Sequence, residues 1–440
     1  MSSYLAVLRL PFAARTFATA LIGRLSYGTV FLSLTLALAS GHGSVSRAGA
    51  VVAVFALSIA GLAPVRARLI DRHGIRPALL PLALSYAGAL VGLTAATWRP
   101  GAPLWLLEAL ALAAGATAPP LGPTMRTLWR TMCGDDQALM QRAFSLDTVA
   151  EEVIGVSGPL LVGVLILVAN AAVGVLLSAV LVAVGTVALM TSPVIGTAAV
   201  QAAATHQPKP ANSPRTRRTD RAGRAGRTGR AGRPRRNERR ALSRIAEPVF
   251  AATGVGLGLG AQSLAIVAFA MRHHQPSAIA WADAGMSVGS ILGGLAYGTI
   301  TWRIPSRTRL PLLTAALGLS VAAAALAPDV WIMTTITTAS GIFVSPLMTC
   351  AYLVADELAT TDSRTSAGMW VNNAFNAGSS AGYAAMGPAL ARLPLSACFT
   401  IAAAPVLLAA TLTRAWRARS TAAQPLDAAE PHSEAVPLAA

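Results

Sequence analysis

The chain has 440 residues, of which 54% are hydrophobic and only 12% charged, about half the roughly 25% charge of soluble domains. So little charge cannot cover a water-soluble surface of this size, which excludes a soluble globular enzyme and points to a polytopic membrane protein. The net charge of +17 does not signal nucleic-acid binding, because residues 209–244 alone hold Lys209 and 13 Arg against Asp220 and Glu238, a local +12.

A helix needs about 20 apolar residues to cross the hydrocarbon core. Arg9 and Arg15 precede an apolar run too long for a signal-peptide core, so it reads as an uncleaved first span at about 16–39. Further spans are expected at about 46–65, 78–97, 103–123, 143–168 and 171–193. Residues 194–245 then read as a disordered cytoplasmic linker rich in Pro, Ser, Thr and Arg, with Arg-x-Gly repeats from Arg221 to Arg233. The repeats lack proline, so a collagen-like helix is excluded, and the tract is suited to anionic lipid. Six more spans follow at about 247–270, 278–300, 310–327, 330–354, 366–390 and 394–413. The fold class expected is an all-α polytopic membrane protein of twelve transmembrane helices in two six-helix pseudo-repeats. Its domains are an N-terminal bundle over 1–193, the linker, a C-terminal bundle over 246–414 and a disordered cytoplasmic tail over 415–440.

Arginines in short loops set the orientation. Arg9, Arg15, Arg66, Arg68, Arg72, Arg76, Arg126, Arg130, Arg142, Arg303, Arg307, Arg309, Arg364, Arg414, Arg417 and Arg419 fall on the side of both ends of the chain. Only Arg47, Arg99, Arg272 and Arg392 fall on the other, so both termini are placed in the cytoplasm. Cys133, Cys350 and Cys398 form no metal pattern and read as small apolar packers. Heavy use of Arg, with Lys209 the only lysine, suits a high-GC bacterial genome and hence a bacterial plasma membrane.

After the second span comes Ala67-Arg68-Leu69-Ile70-Asp71-Arg72-His73-Gly74-Ile75-Arg76. It resembles the loop 2–3 signature of the major facilitator superfamily, G-x-L-A-D-R-x-G-R-R/K. Leu69, Asp71, Arg72, Gly74 and Arg76 match; Ala67 replaces the leading glycine and Ile75 one arginine. The resemblance implies a conformational lock that latches the two halves in the outward-facing state; arginines that only enforce topology would look the same. In the fifth span, Gly155, Gly158, Pro159 and Gly163 are similar to the Gly-Pro motif of the superfamily's proton-coupled exporters, G-x-x-x-G-P-x-x-G-G. Val162 stands for one glycine, and the leading glycine is displaced to Gly155. Pro159 frees a carbonyl and bends the helix, and the glycines allow close approach, as small residues do in any packed membrane helix. Gly293-Gly294-Leu295-Ala296 echoes the start of the loop signature, with Tyr297 at the Asp position, as two related halves would. Ala111 stands four residues before Gly115, where many drug exporters of the family carry an arginine, so an arginine-assisted relay there is not carried over.

Ionisable groups inside a span are costly and therefore candidate functional groups. Arg24 lies nine residues beyond Arg15, about 13 Å deep at 1.5 Å per residue. Glu151 and Glu152 lie about as deep in the fifth span, and Asp147 shares a face with Glu151. Arg24 is expected to pair with Glu151 or Glu152, either to couple protons or to fasten helix one to helix five. Glu108 and Asp283, in outer parts of the fourth and eighth spans, are further proton or substrate candidates. Gln262, Asn372, Asn373 and Asn376 need partners in hydrocarbon, from substrate or from neighbouring helices.

No phosphate-binding loop is recognisable, so direct ATP drive is not expected. The resemblance implies a secondary transporter, not an enzyme, working by alternating access. The expected activity is proton-coupled efflux of small, mostly apolar organic molecules. An importer of a sugar or organic anion on the same fold is the alternative, and a non-transporting receptor or membrane enzyme the remote one. The expected partners are substrate, proton and lipid bilayer, with no cofactor, metal or nucleic acid, and a monomeric state. Deleting residues 212–240 is expected to leave substrate flux unchanged; a folded but inactive deletion would show that the basic linker is more than a tether.

Overall fold

In hydrocarbon a backbone satisfies its own N–H and C=O groups only within a helix or a closed barrel, so long apolar segments have few structural choices. The computed structural model describes residues 4–42, 45–98, 101–198, 243–275, 277–360 and 363–422, which hold helices and no strand. The first half comprises α1 (Tyr4–Leu8), α2 (Ala13–His42), α3 (Val45–His73), α4 (Ile75–Trp98), α5 (Leu104–Thr117), α6 (Leu121–Cys133), α7 (Gln137–Leu165) and α8 (Ala171–Met190). The second comprises α9 (Ala246–Arg272), α10 (Ser277–Thr299), α11 (Ser306–Ala323), α12 (Val330–Leu358), α13 (Arg364–Leu390) and α14 (Leu395–Ala422). Among the described residues eleven spans, with α5 and α6 joined as one, are long and apolar enough to cross a membrane. The twelfth long helix, α13, misses that hydropathy because it carries Asn372, Asn373 and Asn376.

Several boundaries differ from the sequence reading. The fourth span is not one helix over 103–123: it breaks at Pro119-Pro120, where two missing N–H groups interrupt the ladder and Ala118 turns to φ −54°, ψ 115°. The chain then re-enters as α6 and stays helical to Cys133, which puts Arg126 and Arg130 on a helix instead of in a loop. Asp136 caps α7, accepting from Leu139 N at 2.9 Å, so that helix begins well before residue 143. The linker reading of 194–245 falls mostly on 199–242, outside the described residues. Its first residues are helical, because Val194 and Ile195 bury an apolar pair. The reading of a tail over 415–440 is corrected for 415–422, which continue α14; residues 423–440 lie outside the described residues.

In the first half α2 packs on α7 and α8, and α4 on α5 and α8; in the second, α9 packs on α13 and α14, and α10 on α12. The halves meet where α7 crosses α10 and α12 and where α3 crosses α13. Short turns are held by side-chain caps: Asn170 accepts from Ala172 N, and Asp329 from Trp331 N and Ile332 N, each at 2.9 Å. Cys133, Cys350 and Cys398 are buried free thiols.

The glycines of the fifth-span motif are not equivalent. A Cβ at Gly158 would lie 2.3 Å from the carbonyl carbon of Gly28, so α2 and α7 cross backbone to backbone there. A Cβ at Gly155 or Gly163 would meet nothing within 4 Å. Gly158→Val should therefore destabilise the protein by roughly 3 kcal/mol, read as a lower melting temperature in detergent. Gly163→Ala should leave that temperature unchanged or slightly raised, and equal losses at the two sites would contradict this packing.

Candidate functional site

Three helices of the first half converge on a group of four charges, of which Arg24, Arg126 and Asp147 are buried and Glu151 is about one-third exposed, at 34%. From α2, Arg24 places Nη1 2.6 Å from Asp147 Oδ1 and Nη2 2.5 Å from Glu151 Oε1. From α6, Arg126 places Nη2 2.7 Å from Glu151 Oε1, and its Nε lies 3.2 Å from Asp147 Oδ2, too poorly aligned for a hydrogen bond. Both acids come from one face of α7, four residues apart. Asp147 is fully buried, and Arg24 and Arg126 nearly so. Two guanidinium groups against two carboxylates leave the group neutral, the condition under which charges persist in a low-dielectric interior. The pairing of Arg24 with Glu151 is therefore present. That with Glu152 is not: one residue further turns its side chain about 100° around the helix, where it accepts from Ser290 Oγ of α10 at 3.0 Å.

The group reaches the second half through Arg126. Its guanidinium carbon stands 3.5 Å from the ring centroid of Tyr352 on α12, a cation–π contact across the interface. Tyr352 Oη in turn donates to Asn372 Oδ1 of α13 at 3.2 Å. Beside this chain of contacts lies a cavity of about 340 Å³ whose wall includes Arg24, Tyr27, Glu151, Gly155 and Asn372. Pro159 has no N–H for the carbonyl of Gly155, one turn back, so the cavity wall holds a backbone acceptor released by the Gly-Pro motif. Arg66 also lines the cavity. It was placed in a cytoplasmic loop by the sequence, but it is buried on α3 and donates from Nη1 to Gly115 O and from Nη2 to Ile59 O, each at 2.7 Å. An arginine from α3 thus reaches the turn of the fourth span where Ala111 replaces the family's arginine.

At the arginine-rich end of the molecule the halves are tied together. Asp71, near the end of α3, accepts from Ser366 N at 3.1 Å and from Ser366 Oγ, and so satisfies the first turn of α13. Gly74 takes φ +87°, a left-handed turn that favours glycine, and lets α3 reverse into α4. Arg76 donates to Met190 O at 2.6 Å, within the first half. Leu69 and Arg72 are exposed. Around this point Arg130 pairs with Asp356 at 3.4 Å, and Tyr4 Oη donates to Leu295 O at 2.7 Å. In the echo segment Tyr297 Oη accepts from Arg309 Nη1 at 2.6 Å, and that nitrogen also donates to Gln141 Oε1 of α7 at 2.7 Å. Arg309, like Arg66 and Arg126, is buried and not a loop charge.

The remaining candidates disperse. Glu108 is half-buried on α5 and Asp283 exposed on α10, and neither joins the four charges. Gln262 is fully buried in α9, with no hydrogen-bond partner for either amide atom. Asn376 is exposed, whereas Asn373 Nδ2 donates to Ala60 O at 3.0 Å. That carbonyl is free because Pro64 lacks the N–H that would have bonded it. Sequence reasoning missed Arg126, Arg66, Tyr352 and Ser366. A signal for Arg126 existed: Leu121, Met125, Leu128 and Trp129 recur at helical spacing and mark 121–133 as a helix with one buried face.

Two packed bundles of membrane-length helices, with a cavity in the first half that Asn372 of the second also lines and ionised groups on its wall, have the arrangement of a membrane transport fold. The family model of the Major Facilitator Superfamily matches residues 16–243, and the chain belongs to that superfamily. Among solved structures, a bacterial homologue of the iron transporter ferroportin in an outward-facing state superposes with a TM-score of 0.71 at 16% identity, covering 93% of this chain and 100% of that one. The human organic anion transporter MFSD10 gives 0.63 at 14% identity over 91% and 98% of the two chains. The E. coli fucose:proton symporter FucP gives 0.60 at 14% over 93% and 99%. No curated protein matches the chain.

Breaking a buried pair from one side leaves an uncompensated charge. Arg24→Gln should therefore destabilise by about 3–5 kcal/mol, Glu151→Gln, at a side chain 34% exposed, by less, and the double variant by less than their sum. Arg24→Gln with Glu152→Gln should be additive. Chemical denaturation of the purified variants reads both cycles, and additivity in the first would contradict the pairing.

Proposed function

We propose that the protein is a proton-coupled secondary exporter of small, mostly apolar organic molecules, working by alternating access. The observation that carries this reading is the neutral group Arg24, Arg126, Asp147 and Glu151, which reaches the cavity wall through Arg24 and Glu151 and the second half through Arg126 on Tyr352. A proton taken up by Glu151 removes one of two negative charges and leaves one guanidinium group in excess. Arg126 then has reason to leave Tyr352, and a protonation event inside one half alters the contact between halves. Asp71 on Ser366 acts as the lock that holds the arginine-rich end shut. In this reading that end faces the cytoplasm of a bacterial plasma membrane, with both termini inside, as arginine bias supports, and the protein works as a monomer.

The Gly-Pro similarity favours export. Proton coupling has a parallel in the fucose:proton symporter, which shares the fold. The iron of the ferroportin relative is not carried over: among the described residues no three His, Cys, Asp or Glu side chains come together as a ligand set. Import of an organic anion remains the second reading, favoured by the buried Arg66 on the cavity wall.

The test is purified protein in liposomes with an internal pH dye, an imposed proton gradient and a panel of hydrophobic drugs, sugars and organic acids. Drug-dependent proton flux is expected, and Glu151→Gln should reduce it at least about tenfold, the effect of roughly 1.4 kcal/mol on a barrier. Glu108→Gln and Asp283→Asn should retain it. Flux with sugars or acids alone would replace the exporter by an importer. Asp71→Asn should lower flux at unchanged membrane abundance; a fall in abundance instead would assign Asp71 to packing.

A further inference from the structure

The cavity wall carries one positive charge more than the buried group neutralises. Arg24 and Arg126 are matched by Asp147 and Glu151, but Arg66 is 4% exposed and pairs with no carboxylate among the described residues. Its two terminal nitrogens donate to the carbonyls of Gly115 and Ile59, and its Nε has no partner. Carbonyl dipoles orient a guanidinium without cancelling its charge, so the desolvation cost of Arg66 stands uncompensated in this state.

The polar groups around it are also donors in excess. Tyr86 is fully buried, lines the same cavity and has no hydrogen-bond partner for Oη. Ser26 Oγ is likewise buried without a hydrogen-bond partner. Tyr27 Oη already donates its hydrogen bond to Pro119 O. The rest of the wall includes Val30, Phe31, Ile59, Leu121 and Ile154. A site with a surplus cation, an unused phenol and apolar walls is complementary to an acid group on an apolar body.

We infer that Arg66 and Tyr86 form the receptor for the acid group of an amphiphilic organic monoanion, a carboxylate or sulfonate whose apolar body fills the remainder of the cavity. The inference rests on the transporter reading and narrows its substrate from apolar molecules in general to apolar acids. It assigns the two groups distinct tasks. Arg66 recognises the substrate charge, while the Arg24, Arg126, Asp147 and Glu151 group stays available for the proton.

The probes are 2-naphthoate and its neutral match, 2-naphthamide, added to the purified full-length protein in detergent, with melting temperature and calorimetry as readouts. Naphthoate should raise the melting temperature of the wild type with dose, and naphthamide should not. Arg66→Gln should weaken naphthoate binding at least about tenfold, Arg66→Lys should restore part of it, and Tyr86→Phe should weaken it about threefold, a loss of roughly 0.6 kcal/mol. Equal binding of acid and amide, unchanged naphthoate affinity in Arg66→Gln, or no response of the wild type to the acid at millimolar concentration would each overturn the assignment. The wild-type comparison of acid with amide needs no variant, so a misfolded Arg66→Gln leaves the test intact. Failure here is separable from failure of the transporter reading. Proton flux with neutral drugs, together with naphthoate affinity unchanged in Arg66→Gln, would keep the transporter and reject the anion site. Acid binding through Arg66 without flux in liposomes would keep the site and reject the transporter.

Discussion

Three guanidinium groups, those of Arg24, Arg66 and Arg126, are buried in the first half, and each must be neutralised or solvated by something other than bulk water. Much of the local architecture follows from that demand. α7 sets Asp147 and Glu151 one turn apart on a single face so that both arginines from α2 and α6 can share them. The α2–α7 crossing brings Gly28 against Gly158, and that close approach is what lets Arg24 reach across. Arg66 has only carbonyls. The same low dielectric that makes the paired arginines durable makes the unpaired one receptive.

Prolines supply backbone groups that an uninterrupted helix would have consumed. Pro64 releases the carbonyl of Ala60, which Asn373 of the other half takes up. The Pro119-Pro120 break presents Pro119 O to Tyr27 and starts α6 at the depth that brings Arg126 level with Glu151. In the second half, Pro346 frees the carbonyl of Ile342, and Gly293 packs against it so closely that a Cβ would lie 1.9 Å away. Polar contacts between the halves thus use main chain as well as side chain, and they gather at the arginine-rich end, where Asp71, Arg130 and Tyr4 each bridge to the second half.

The long apolar runs and the common face of Asp147 and Glu151 were legible in the sequence, because each depends on spacing along one helix. Contacts set by how helices rotate against one another were not. Glu151 and Glu152 are indistinguishable by depth, and only the position of α10 sends Glu152 to Ser290. Arg66, Arg126 and Arg309 look like topological charges when spans are cut at the first basic residue. Arg66 and Arg126 are buried because their helices run on for two or more turns beyond the hydrophobic stretch, and Arg309 because it sits in the first turn of α11. The loop signature was informative at Asp71 and Gly74, whose roles are local geometry, and uninformative at Leu69 and Arg72, which are exposed.

The central claim is that the charge state of Glu151 governs how the two halves meet at the arginine-rich end. Double electron–electron resonance between spin labels at Arg72 and Ile300, both exposed there, measures that meeting directly in the otherwise unlabelled protein. With Glu151→Gln as the protonated mimic, the distance distribution should shift to longer separations relative to the wild type, while Glu108→Gln should leave it in place. A Glu151→Gln distribution that overlays the wild type would contradict the account and reduce the four charges to a static fastener within the first half.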